Sequence, residues 1–407
     1  MILAKSAAVV DCGFIPLLDA APLVIAKELG LDRRNGFTMQ LHRESSWANI
    51  RDKVDLGIFD CAHMLAPMPL AATLGLGRPM HPVIAPMVLS LNGNAITVSN
   101  TVYDEMRAAD VVATEAGGLR SASALKKVVS QRQADGRELL TLGMVYPFSA
   151  HNYDLRCWLA AAGIHPDSDL NLVVVPPSLL SASLKAGKVD GFCVGSPWNS
   201  VSVMDGDGII IALKEDLWPA SPEKVLGVRE GWAEESRDRL LALIAALRAA
   251  CAWISESANH AEAASILARP HYVGVDRKIL EDLLNGRVEL GRARARQDTN
   301  MVLFSAGDAN RPQTAHAIWF LTQMIRWGQA RTPFSIRAVA ERVYRDDLFE
   351  EAVTAAGPQD EGRAMALHRA QFFQGEAFNA DDPLTYLGRT HIKTDALDLA
   401  GFRRVNA

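Results

Sequence analysis

No apolar run in this 407-residue chain reaches the roughly 18 to 20 residues that a membrane-crossing helix needs, so no membrane span is expected. Cysteine is scarce: Cys12, Cys61, Cys157, Cys193 and Cys251 are odd in number and scattered among apolar neighbours. They read as buried thiols of a reducing compartment, and a disulfide framework or zinc site is excluded. An excess of positive charge is missing too; at −5 the chain offers no broad surface for direct nucleic-acid binding. The phosphate-cradling G-x-G-x-x-G and G-x-x-x-x-G-K-S/T loops and the H-E-x-x-H zinc helix are absent. So is any repeat of fixed period. Finally, a strand-like segment opens at Ala7, which leaves no room for a basic, an apolar and a cleavage region ahead of it. With Met1 as the natural start, a cytoplasmic protein is expected.

What is present is an alternation of strand and helix patterns. Strand-like runs at 8–18 (leaving into a loop), 37–43, 58–61, 82–91 and 95–99 are separated by helical patterns at 20–29, 46–56 and 67–74. A second series follows, with helical patterns at 122–133, 149–162 and 178–186 between strands at 139–146, 172–175 and 191–194. From about residue 234 the chain turns mainly helical. Alternation of this kind builds an α/β fold with mostly parallel sheets and helices on their faces. The length suits two lobes. The expected division is 1–98 for the first part of lobe 1, 99–208 for lobe 2, and 209–407 for the return to lobe 1 plus a helical C-terminal region. Ligands in such open sheets lie at the carboxyl ends of strands.

The stretch Arg43-Glu44-Ser45-Ser46-Trp47-Ala48-Asn49 sits at one such end. A serine here can cap a helix whose first amides favour an anion, with the Trp47 indole in the first turn as wall and donor. The same spacing fits an ordinary capped helix with Trp47 in the core. Three further junctions carry distinctive groups. Asn92-Gly93-Asn94 is a turn signal with an amide donor at Asn94. In Tyr146-Pro147-Phe148-Ser149-Ala150-His151, Ser149 is the expected cap and His151 lies in the first turn. In Gly195-Ser196-Pro197-Trp198-Asn199, Pro197 suits a helix start. Val175-Pro176-Pro177 makes a rigid corner, and Asp19 reads as the cap of the 20–29 helix. Lys224 reads as a solvated surface charge. Gly191-Phe192-Cys193-Val194-Gly195 has the spacing of a nucleophile elbow, but its apolar flanks favour a buried strand with an inert thiol.

Taken together, Ile15-Pro16-Leu17, Ala21-Pro22-Leu23, Ser46-Trp47-Ala48, Ala62-His63-Met64-Leu65-Ala66-Pro67-Met68-Pro69 and Gly195-Ser196-Pro197-Trp198-Asn199 resemble the nitrate/bicarbonate-binding proteins of ABC importers over residues 7–330. The resemblance implies a two-lobed, periplasmic-binding-protein-like (type II) fold, with a central ligand cleft and a helical C-terminal part packing on lobe 1. It implies nitrate contacts from Trp47, Asn94, His151, Pro177 and Lys224. The bicarbonate branch places an acidic residue at the Lys224 position with calcium assisting, so Lys224 implies nitrate with no metal or cofactor. The missing leader makes the chain similar to a signal-less, NasS-like branch of cytoplasmic nitrate/nitrite sensors. For that branch the implied partner is an ANTAR-domain, RNA-binding antiterminator of the NasT kind, released when the anion binds. The leading expectation is therefore a sensor, not an enzyme. The alternative is the nitrate-binding protein of an ABC transporter. A third possibility, an enzyme similar to the pyrimidine-precursor synthases of thiamine biosynthesis, would need a cysteine cluster that this chain lacks.

Overall fold

Strands that are mostly apolar must be covered on both faces, and among the described residues four are buried from end to end. The computed structural model describes residues 8–356 and 378–406. In chain order its strands are β1 (Ala8–Phe14), β2 (Phe37–Arg43), β3 (Cys61–Leu65), β4 (Val83–Asn92), β5 (Asn94–Ser99), β6 (Thr141–Met144) and β7 (Asn171–Val174). They continue with β8 (Gly191–Gly195), β9 (Gly208–Leu213), β10 (Pro222–Arg229), β11 (Val288–Gly291), β12 (Arg294–Arg296) and β13 (Val302–Leu303). A six-stranded sheet in the order β13-β4-β10-β3-β1-β2 forms lobe 1, and a five-stranded sheet in the order β7-β6-β8-β5-β9 forms lobe 2. The runs β2-β1-β3 and β7-β6-β8 are parallel, as the alternation predicts, whereas β10 and β5 run antiparallel to both their neighbours and β13 to β4, so both sheets are mixed.

The chain crosses between lobes through Asn92 and Gly93, whose φ angles of 62° and 100° turn it out of one sheet and into the other. Asparagine and glycine are the residues that tolerate this region. The turn signal at Asn92-Gly93-Asn94 thus marks a passage between sheets, not a hairpin. Strands β5 and β9 pair with each other in lobe 2, so that sheet extends from Asn94 to Leu213, a few residues beyond the expected 99–208 on both sides.

The two capped helices form as the sequence predicts. Ser46 accepts from Asn49 N–H at the start of Trp47–Asp55, and Ser149 accepts from Asn152 N–H at the start of Ala150–Ala161. The C-terminal helices return to lobe 1, where Arg237–Ser255 packs along Ala21–Glu28. Helix Thr314–Arg326 also reaches lobe 2: the Trp319 ring lies 4.5 Å from Trp218 and 6.5 Å from Tyr153. Among the described residues no single helix is long and apolar enough to cross a membrane.

Candidate functional site

At the junction of the lobes, the ends of several elements bring seven ionisable side chains into a fully buried cluster. Lobe 1 supplies Asp19 from the turn Leu18–Ala20, His63 from β3, and Glu223 and Lys224 from β10. Lobe 2 supplies His151 and Asp154 from the helix Ala150–Ala161 and Lys214 from the end of β9. Each is at most 1% exposed.

Lys224 Nζ donates to Asp19 Oδ2 at 2.8 Å and to Glu223 Oε1 at 2.9 Å. Adjacent residues of a regular strand face opposite sides, so Glu223 and Lys224 should not share a pocket. They do so because the β10–β4 register slips on both sides of Lys224, a bulge that re-aims its neighbour. Lys214 Nζ donates to Asp154 Oδ2 at 2.7 Å and lies 3.3 Å from Glu223 Oε2. Asn94 Nδ2 bridges the two halves, donating to Asp154 Oδ2 at 3.1 Å and to Glu223 Oε2 at 2.5 Å. His63 Nε2 is 2.9 Å from Asp19 Oδ1, but off the line of a hydrogen bond.

Burial alone would raise the Asp19 carboxyl; Lys224 and His63 outweigh it and bring its pKa down to about 2. Burial likewise works against the Glu223 charge, and Lys224, His151 and Lys214 reverse the effect, leaving its pKa below the usual value. Asp154 goes the other way, since burial lifts it by more than Lys214 lowers it. Burial depresses His151 to about 3, with Lys224 and Lys214 adding to the effect against the opposing pull of Glu223. His63 is lowered by burial as well. Both histidines are therefore neutral near pH 7.

Of the residues expected at the site, four converge and one does not. Trp47 is buried in the first turn of its helix, with Lys224 Nζ 5.7 Å from its ring centroid and the His63 ring 5.5 Å away. Among the described residues, Trp47 Nε1, both His151 ring nitrogens and Asn94 Oδ1 have no hydrogen-bond partner. Gly195, at the end of β8, faces Asp19, His151 and Asn94. A Cβ there would lie 3.5 Å from Asp19 Oδ2, 3.5 Å from His151 Nε2 and 3.6 Å from Asn94 Oδ1. Pro177 stands apart: it is buried where the turn Pro177–Leu179 starts, its carbonyl is taken by Leu180 N–H, and among the described residues no polar contact joins it to the cluster.

Two of the sequence expectations need correction. Lys224 is not a surface charge, because it is wholly buried between two carboxylates. Asp19 caps no helix; Ala20 holds that position without a side-chain bond, and the Asp19 carboxylate is turned toward Lys224. Asp154, Lys214 and Glu223 were not picked out from the sequence; Asp19 was expected only as a helix cap, and His63 stood only within the Ala62–Pro69 motif, the one signal that could have brought it to the site.

A family model described as the NMT1-like family matches residues 4–268. The chain belongs to that family. It is 34% identical to the nitrate/nitrite binding protein NrtA of Nostoc sp., over 94% of this chain and 85% of the relative. It is 38% identical to the nitrate import ATP-binding protein NrtC of Synechocystis sp., over 95% of this chain, and 36% identical to the bicarbonate transport ATP-binding protein CmpC of the same organism, over 94%. The chain spans only 55% of the length of each of these two. The crystal structure of the periplasmic nitrate-binding protein NrtA from Synechocystis superposes with a TM-score of 0.86 at 30% identity, covering 96% of this chain and all of that one. The two-lobed periplasmic-binding-protein fold of this NMT1-like chain is thereby established.

Proposed function

We propose that this chain is a nitrate/nitrite-binding component of an ABC-type importer that holds its anion at the buried junction of the lobes. The observation that carries this is the pair of buried, unpartnered donors at one junction: Trp47 Nε1, whose ring lies 5.7 Å from the Lys224 ammonium, and the His151 ring, whose Nε2 borders the space beside Gly195. Nitrate is planar, singly charged and accepts hydrogen bonds only, so a site for it needs directed donors and a nearby positive charge. Trp47, His151 and Lys224 meet that need, whereas Asn94, whose Nδ2 is taken by Asp154 and Glu223, borders the space with its acceptor Oδ1 and serves to hold the cluster together. The charge of Lys224 is already balanced by Asp19 and Glu223, so directed donors, more than net charge, hold the anion. None of these groups is placed as a nucleophile, which favours binding over turnover.

The NrtA and NrtC relatives favour the importer role over the sensor expected first. An ANTAR-type antiterminator partner rests on the family resemblance alone. Calorimetry with nitrate, nitrite, bicarbonate and sulfate tests the reading. Saturable binding of nitrate or nitrite, with sulfate excluded, is expected. Absence of binding by both, or a clear preference for bicarbonate, overturns it.

A further inference from the structure

We propose that the cluster takes up its monoanion together with one proton, and that His151 carries that proton; this rests on the anion-binding reading above. The first ground is charge. Asp19, Asp154 and Glu223 face Lys214 and Lys224, three carboxylates against two ammonium groups, all out of contact with water. A monoanion added to that set deepens an excess of negative charge where solvent cannot screen it, and buried charge without a partner is strongly disfavoured. Histidine is the side chain that can supply a compensating positive charge near neutral pH.

The second ground is geometry. His151 Nδ1 lies 3.4 Å from Glu223 Oε1, and Nε2 faces the space beside Gly195, which Asp19 Oδ2 and Asn94 Oδ1 also border. A neutral imidazole has one N–H. If Nε2 donates to the anion, the bare Nδ1 lone pair confronts the Glu223 carboxylate; if Nδ1 donates to Glu223, the bare Nε2 confronts the anion. Only the imidazolium donates both ways. The other ionisable groups facing His151 are Lys224 from β10, Asp19 from the turn Leu18–Ala20, Lys214 from the end of β9 and Asp154 from its own helix, with His63 of β3 behind Asp19. The helix Thr314–Arg326 brings Arg326 to Cys157, two turns farther along, and Gly118–Ala134 brings Ser121 to Trp158. Without the anion, burial keeps His151 neutral.

The sign follows from linkage. Since the proton binds more tightly in the anion complex than in the free protein, anion affinity falls as pH rises between the two pKa values. Nitrate calorimetry near pH 6.5, in phosphate and in Tris buffer, should report the uptake of one proton. Affinity should weaken about tenfold per pH unit between the pKa of the free protein and that of the complex, and level off above the latter. His151→Gln keeps one donor and should remove both the uptake and the slope, whereas His63→Gln should retain them. Should His151→Gln bind nothing, the ring 15N shifts of wild-type His151 at saturating nitrate decide, with an imidazolium signature expected. Nitrate binding with no proton uptake, or uptake that persists in His151→Gln, overturns this inference and leaves the anion site standing. No nitrate binding at any pH overturns the proposed function itself.

Discussion

Replacing Lys224 by glutamine separates the contribution of the cluster to folding from its contribution to binding. The ammonium lies 2.8 Å from Asp19 Oδ2 and 2.9 Å from Glu223 Oε1, and all three side chains are buried. Removing one partner of a buried ion pair leaves uncompensated charge and costs roughly 3–5 kcal/mol. A separate route gives a similar order: the fall of the Asp19 pKa from 3.8 to about 2 corresponds to about 2 kcal/mol for that carboxylate alone. In the wild type this contribution is complete above the unfolded-state value and is lost as pH falls through the folded value of about 2. In Lys224→Gln the sign reverses. With the ammonium gone, burial raises the folded-state values of Asp19 and Glu223 above their unfolded ones. The penalty is then largest at pH 7 and shrinks as pH falls toward 4. Urea unfolding followed by tryptophan fluorescence at both pH values measures it, and Asp19→Asn combined with Lys224→Gln should recover part of the loss. An equal loss at both pH values, or a variant within about 0.5 kcal/mol of wild type, the range of ordinary surface substitutions, would refute the reasoning.

Gly195→Ala should fold normally, since its Cβ meets Asp19, His151 and Asn94 at ordinary contact distances. It should nonetheless weaken nitrate binding at least tenfold, about 1.4 kcal/mol, by filling the shared space; unchanged affinity in calorimetry would move the anion elsewhere. Trp47→Phe keeps a ring beside Lys224 and loses the Nε1 donor, so a loss of about 1 kcal/mol, near fivefold in affinity, is expected without a change in far-ultraviolet circular dichroism. All five cysteines are buried, and burial pushes the Cys193 thiol well above its usual pKa. A thiol reagent at pH 8 should modify none in the native protein and five after denaturation. A rapidly reacting Cys193 would revive the nucleophile-elbow reading.

Much of the frame was legible because it depends on local periodicity. The alternation of strands and helices predicts two α/β lobes; Ser149 caps the helix it was expected to cap, and of the two candidate serines, Ser45 and Ser46, the structure uses Ser46. Trp47 and His151 could be chosen because a helix start at the end of a strand is a local feature. Lobe edges were less legible: Gly208–Leu213 reads as an apolar strand in either lobe, and only its pairing with β5 assigns it.

The sequence by itself determined the fold class, the family motifs and the buried character of the cysteines, because each follows from residues close along the chain. Only the tertiary structure decided the electrostatics of the site. Asp19 and Lys224 are 205 residues apart, and Asp154 and Lys214 are 60 apart. No local pattern pairs them, and a lysine next to a glutamate looks solvated until the strand around it is found to be internal to its sheet. The bulge that turns Glu223 toward Lys224 depends on the register with β4, which belongs to two strands at once. Whether a charge is screened, paired or left in excess depends on what lies within a few ångströms in space, and burial then amplifies the difference.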